Sequence, residues 1–292
     1  MIRFPHLVFV TLILLSACKP AVTPTTLPTE MTTATASISP LGSPGRSTAI
    51  PGSRTITIFA AASLTNAFIE IGLGFEAANP GSKVVFNFAG SQTLSTQLTQ
   101  GAVADVFASA NPTEMEKLVT SGLVQKDSPM DFLTNQLVVI LPTNNPANIT
   151  TLDDLTRKGL KLVLASDTVP VGKYTLQVLE KLDQDPSFGT DFKTRILNNV
   201  VSYENDVKLV VAKVQLGEAD AGFVYISDSV ASPELKFVKI PSKFNIIAEY
   251  PIAALINAPQ PDLAERFIAY VLSFEGQAIL KKWGFTPITQ PG

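Results

Sequence analysis

Two hydrophobic rhythms take turns along this chain. Residues 55–60 (TITIFA) read as a strand, and Leu64, Ala67, Phe68, Ile71 and Phe75 then recur at helical spacing. Residues 83–88 form a second predicted strand, followed by a short helix through Leu94 and Leu98, and residues 103–109 (VADVFAS) a third strand. The rhythm resumes with a strand at 161–165 and a helix at 171–182. Val207, Val210, Val211 and Val214, spaced by threes and fours, predict another helix before a strand at 221–225 (AGFVY). This alternation predicts an α/β architecture with mostly parallel sheets. Two extended apolar segments interrupt it, 136–141 (QLVVIL) and 246–256 (IIAEYPIAALI). In a two-lobed protein these are where the chain crosses from one lobe to the other and back.

The first 53 residues follow neither rhythm. Arg3 precedes a nine-residue apolar run at 7–15 (LVFVTLILL), too short to span a bilayer, which takes about 20 apolar residues. With its positive flank it reads as a secretory signal. It ends Leu15-Ser16-Ala17-Cys18, which resembles the lipobox of bacterial lipoproteins. That resemblance implies a signal peptide at 1–17, cleavage before Cys18 and a lipid on its thiol. From 19 to 53, nineteen of 35 residues are Pro, Thr or Ser, too little apolar surface to offset the entropy of ordering. Residues 18–53 are therefore expected to be a flexible, lipid-anchored linker.

Composition narrows the chemistry. The chain has 292 residues, one His (His6) and one Cys (Cys18), both within the leader, so the part expected to fold carries neither imidazole nor thiol. That excludes Cys/His zinc sites, Ser-His-Asp or Cys-His catalytic centres and disulfides there. Acid–base work would fall to carboxylates, Lys or Tyr, and the balance leans away from an enzyme. Residues 54–292 hold 19 basic and 24 acidic side chains, so no basic surface invites nucleic acid.

Four predicted strand-to-helix junctions carry small, hydroxyl or uncharged residues: Ala62-Ser63-Leu64, Gly90-Ser91-Gln92, Pro170-Val171-Gly172 and Asn205-Asp206-Val207. One reading is capping, since Ser63 and Ser91 are good N-cap residues. The other is that these helix starts converge on one anion. Each presents unpaired N–H groups and a partial positive charge, beyond the carboxyl ends of the strands where ligands of open α/β sheets lie. Composition and spacing leave both readings open.

Six motifs in order resemble the periplasmic molybdate-binding proteins of ABC transporters. They are residues 59–68 (FAAASLTNAF), 88–92 (FAGSQ) with Leu94, Gln97 and Leu98, 104–110 (ADVFASA), 169–174 (VPVGKY), Asp206-Val207 and 222–225 (GFVY), and the ending 283–287 (WGFTP) agrees as well. The resemblance implies a two-lobed periplasmic-binding-protein-like fold of type II, each lobe a mostly parallel sheet flanked by helices, with the ligand in the cleft. Lobe 1 would be 54–136 plus 247–292, and lobe 2 would be 137–246. It implies that Ser63 and Ser91 bind the oxyanion through hydroxyl and amide, Val171 and Val207 through backbone N–H groups, and Tyr225 through its hydroxyl. Val171 stands where the family often has Ala, and residues 202–205 depart from the family pattern.

The expected function is capture of molybdate, and of tungstate with it, for an ABC permease and its ATPase. The protein would be an extracytoplasmic, membrane-anchored monomer without catalytic residues, cofactor, side-chain metal site or nucleic-acid partner. The alternatives are a binding protein for another tetrahedral oxyanion such as sulfate, and an anion-sensing module on the same fold. Donor-only amides favour fully deprotonated dianions over phosphate. Asp105 is expected to be structural, Asp153-Asp154 to serve a helix start, Trp283 and the Phe residues to be core, and Lys281-Lys282 to be too short for a membrane patch.

Overall fold

A computed structural model describes residues 54–288. The predicted signal segment, Cys18, the linker and His6 lie outside the described residues.

The chain builds its first sheet, leaves it, completes a second and returns. In order it forms β1 (Arg54–Ala61), a 3-10 turn (Ala62–Leu64), α1 (Thr65–Ala78), β2 (Ser82–Ala89), α2 (Ser91–Thr99), β3 (Val106–Ala108), α3 (Pro112–Thr120) and β4 (Met130–Asn135). The excursion contains β5 (Leu137–Leu141), β6 (Leu162–Ala165), α4 (Pro170–Asp183), α5 (Phe192–Leu197), β7 (Val200–Glu204), α6 (Val207–Gln215), β8 (Ala221–Tyr225), α7 (Ile226–Ala231) and β9 (Lys236–Lys239). It returns through β10 (Ala248–Ala254), α8 (Pro261–Leu272), α9 (Phe274–Lys282) and β11 (Thr286–Pro287). The six-stranded sheet has the order β11-β4-β10-β3-β1-β2 and the five-stranded sheet β7-β6-β8-β5-β9. We call their two layers the first and second lobe.

The α/β character expected from the alternation is present, but each sheet is mixed rather than mostly parallel. β1 pairs parallel with β2 and β3, and β6 parallel with β7 and β8. β10 is antiparallel to both β3 and β4, β11 to β4, and β5 to β8 and β9. Periodicity detects strand–helix–strand units, which are parallel by construction. It carries no signal for the direction in which a strand arriving from the other lobe adds to a sheet.

Both crossing segments are held by asparagines. Asn245 donates from Nδ2 to Leu137 O (2.9 Å), and its Oδ1 accepts from the amides of Leu137 (3.0 Å) and Ile246 (2.9 Å). The side chain thereby ties the outgoing segment to the returning one as a strand neighbour would. Asn135 reaches from β4 to Ser227 Oγ (2.9 Å).

The first lobe is packed by aromatics: Phe75 meets Phe267 edge-on at 5.4 Å and Phe68 lies 5.9 Å from Phe132. The second has its own aromatic trio, Phe188 with Phe192 (4.8 Å) and Phe244 (5.3 Å), beside aliphatic strands. Every residue of β5 (LVVIL) and β6 (LVLA) is buried, as expected of strands covered on both faces. The third predicted strand shortens to Val106–Ala108, because Asp105 turns its carboxylate into a junction. Its two oxygens accept the amides of Thr57 (2.7 Å) and Gln260 (2.6 Å), so this buried acid is a structural clamp. Asp154 lies in a 3-10 turn (Asp153–Thr156) rather than starting an α-helix, and its carboxylate accepts the Thr150 and Thr151 amides just before that turn. Trp283 is half-buried and donates to Glu70 (2.8 Å), which Lys282 also contacts.

Candidate functional site

Where the two lobes meet, the ends of their parallel strands line a narrow cleft that opens to solvent, with room for about 10 Å³. Ala61, Ala62, Ser63, Gly90, Ser91 and Ala110 line it from the first lobe, and Val169, Pro170, Val171, Asp206, Val207 and Tyr225 from the second. Ser63, Ser91, Val171, Val207 and Tyr225 thus come together from both sides. No Lys, Arg or His is among the lining residues, so an anion there would be met by backbone and hydroxyl dipoles rather than by cationic side chains.

Neither serine caps a helix. α1 has Leu64 as its N-cap and α2 has Gly90, without a side-chain capping bond in either case. Ser63 instead sits within the 3-10 turn, its Oγ 3.0 Å from Tyr250 Oη. Ser91 is the first residue of α2, and its Oγ accepts the Ala110 amide at 3.0 Å. An amide only donates, so the Ser91 hydroxyl hydrogen remains available to the cavity. Both serines are almost fully buried.

The second lobe contributes helix starts. Val171 is the second residue of α4, after Pro170 in the first position where its missing N–H costs nothing. Val207 is the first residue of α6. Amides in a first helical turn have no intrahelical acceptor. Asp206, the N-cap of α6, spends its carboxylate on the Leu209 amide at 3.1 Å, which draws that negative charge toward the helix. Tyr225 ends β8, and its buried Oη has no hydrogen-bond partner within the protein. Burial raises the Tyr225 hydroxyl well above the usual phenol range, with the neighbouring Tyr250 and Tyr174 adding to it. It therefore stays a protonated donor.

Close approach of the lobes is written into Gly90, where a Cβ would stand 2.6 Å from Asn205 O of the opposite lobe. Gly172 serves packing within the second lobe, where a Cβ would stand 2.0 Å from Ser166 O just after β6. Three polar contacts cross the cleft: Gln92 Nε2 to Asn205 O (2.9 Å), Lys208 Nζ to Asn66 Oδ1 (3.4 Å) and Lys173 Nζ to Thr113 Oγ1 (3.4 Å). The Lys208 ammonium also lies 3.0 Å from buried Asp228. Burial raises the Asp228 carboxyl, and Lys208 opposes that shift.

Two lobes joined by two crossings, with helix starts and hydroxyls facing one cleft, describe a receptor for a small anion. Residues 56–286 match the family described as bacterial extracellular solute-binding protein. The chain belongs to this family. Among similar solute-binding proteins is the molybdate-binding protein ModA of Mycobacterium tuberculosis, 42% identical over 248 residues, which span 85% of this chain and 89% of the relative. A Bacillus subtilis protein named as an ABC transporter substrate-binding lipoprotein, YvgL, is 30% identical over 80% of this chain and 86% of its own length. The solved substrate-binding domain assigned to a molybdenum ABC transporter of Clostridium difficile superimposes with a TM-score of 0.61 at 31% identity, over 81% of this chain and all of that one.

The expected site missed the groups behind it. Tyr250 and Ala110 back the two serines, yet Tyr250 reads in the sequence only as a residue of an apolar extended segment. Gly90 belongs to the FAGSQ segment at 88–92, and a carbonyl of the opposite lobe, Asn205 O, is what leaves no room there for a Cβ.

Proposed function

We propose that this protein captures molybdate, and tungstate with it, in the interlobe cavity and delivers it to an ABC importer. The observation that carries the reading is the cavity itself. Ser63, Ser91, Val171, Val207 and Tyr225, buried residues from both lobes, line one cleft whose walls offer hydroxyls and helix-start amides but no cationic side chain. The relatives named as molybdate-binding support the choice of ligand.

In this reading the serines donate hydroxyl and amide hydrogens, Val171 and Val207 donate amides, and Tyr225 donates its phenol. Hydrogen bonds to a charged group contribute about 1.5–3 kcal/mol each. Around seven of them, less the costs of desolvation and closure, reach a micromolar or tighter complex, about −8 kcal/mol. Such donors favour a fully deprotonated tetrahedral dianion, because an acidic proton on the ligand would meet another donor. Molybdate and tungstate are larger than sulfate, and two bonds lost to poor fit would cost roughly 3–5 kcal/mol, a preference of at least about 10²-fold. The lobes close by bending at the segments around residue 136 and residues 246–247. Lobe 1 is then 54–136 plus 247–292 and lobe 2 is 137–246. No bond is made or broken, and the protein acts as a monomer. We place it outside the cytoplasmic membrane, with residues 1–17 removed and the Cys18 thiol carrying a lipid at the end of the 18–53 linker.

Calorimetric titration of the purified protein with molybdate, tungstate, sulfate and phosphate tests this. One-to-one binding of molybdate and tungstate, with sulfate and phosphate at least about 10²-fold weaker, is expected. Preferred binding of sulfate would move the protein to another oxyanion, and no binding of any of the four would overturn the reading.

A further inference from the structure

The two serines are backed by different kinds of group. Behind Ser91 stands an amide, an obligate donor, at 3.0 Å. Behind Ser63 stands the Tyr250 hydroxyl, also at 3.0 Å, and within that pair either oxygen is able to donate. The direction chosen there decides what Ser63 shows to the cavity. If Tyr250 donates, the Ser63 hydrogen is free to point at an anion. If Ser63 donates, it presents lone pairs and repels one.

Tyr250 is placed to enforce the first arrangement. Its side chain is completely buried and is not among the residues lining the cavity. The strand pairing of β10 with β4 shifts register between Tyr250 and Pro251, a bulge of the kind that re-aims a side chain. The ring packs edge-on against Phe285 at 5.9 Å and against Phe132 at 6.5 Å, and it lies 5.8 Å from the ring of Tyr225. A buried phenol hydrogen left without an acceptor is unfavourable, and Ser63 Oγ lies within reach of it. A hydroxyl that accepts one hydrogen bond also donates a stronger one.

We propose that Tyr250 is a positioning residue for the anion site: by donating to Ser63 Oγ it holds the Ser63 hydroxyl hydrogen toward the cavity, as the Ala110 amide does for Ser91. Tyr250 does not touch the ligand. One residue of the returning strand thereby supports Ser63 of the first lobe through a hydrogen bond while its ring packs beside Tyr225 of the second. The proposal rests on the reading that Ser63 contacts the bound oxyanion.

A double-mutant cycle with molybdate as the probe tests it. Molybdate titrations are run on the wild type, Tyr250→Phe, Ser63→Ala and the double variant, and thermal unfolding is followed for all four. Tyr250→Phe keeps the packed ring and loses one hydroxyl, so it is expected to weaken molybdate binding about 3–10-fold. In the Ser63→Ala background the same change is expected to have no effect on binding, because the group it acts through is gone. A purely structural role would weaken both backgrounds equally, and that result would overturn the proposal, as would unchanged affinity in Tyr250→Phe while Ser63→Ala binds weakly. Wild-type affinity in Ser63→Ala would instead remove Ser63 from the site, and the role of Tyr250 with it.

Discussion

The two halves of the cleft reach the same end by different means. On the first-lobe side, hydroxyls face the cavity, and each is backed by a partner that sets its direction: Tyr250 Oη behind Ser63 and the Ala110 amide behind Ser91. On the second-lobe side, the positions proposed to meet the anion are mainly backbone amides of α4 and α6, and the Val171 and Val207 side chains are buried in the lobe. A half-site made of side chains depends on residue identity. A half-site made of amides depends on the helix start being in place, whatever the side chain. Two stretches that look equally marked in the sequence therefore differ in what they tolerate.

The sharpest way to break this comparison is to remove the first-lobe hydroxyls together. Ser63→Ala with Ser91→Ala is expected to weaken molybdate binding about 10²–10⁴-fold, at roughly 1.5–3 kcal/mol per hydroxyl, as read by calorimetry. The second-lobe counterpart needs proline rather than alanine. Val207 is the first residue of α6 and follows an extended Asp206 (φ −157°, ψ 170°), a setting that accepts proline without breaking the helix. Val207→Pro deletes the amide hydrogen and exchanges the buried valine side chain for a pyrrolidine ring, and is expected to cost about 10–100-fold in affinity with little loss of helix. Val207→Ala keeps the amide and should change affinity less than about 3-fold, while lowering stability by about 1–2 kcal/mol through lost buried methyls. Equal losses in the two variants would show that the side chain, not the amide, meets the ligand.

A smaller effect is expected at the rim. Gln92→Ala removes the 2.9 Å contact to Asn205 O across the cleft without touching a proposed ligand group. It should weaken binding about 2–5-fold, mainly by faster release, which stopped-flow displacement measures. The smallest expected effect is that of pH. Tyr225 donates only while protonated, and burial raises its pKa, so the donor persists as pH rises through the usual phenol value of about 10. No lining residue is a histidine. Molybdate affinity is therefore expected to stay level from about pH 7 to pH 9, and a steep fall across that window would show that a group titrating there, not a phenol held above its usual range, controls binding.

Part of each lobe was legible from periodicity. β1 and β2 each extend only one residue beyond either end of the predicted strands, and β8 coincides with residues 221–225. α3, β4, α8 and α9 had no sequence expectation. β4 carries no clean two-residue alternation, since Phe132 and Leu133 are buried side by side. The five residues expected to meet the anion line one cleft, and their motifs stand out in the sequence because they are local and ordered. What backs them does not: Tyr250 is 187 positions from Ser63.

The sequence by itself determined the strand–helix alternation at the core of each lobe and which chemistry is absent from residues 54–292, since a missing imidazole or thiol cannot be supplied by folding. It also determined where helix starts with small or hydroxyl residues lie, because capping and helical spacing act within a few residues of one another. Tertiary structure alone decided that strands from the far side run antiparallel to the parallel core of each sheet. It decided that Gly90 must clear the Asn205 carbonyl, and that the serine hydroxyls are backed by Tyr250 and Ala110 rather than spent on capping. The reason is one of range. Propensity and periodicity are set by near neighbours, whereas the direction of a hydroxyl hydrogen is set by whichever donor the fold places about 3 Å away.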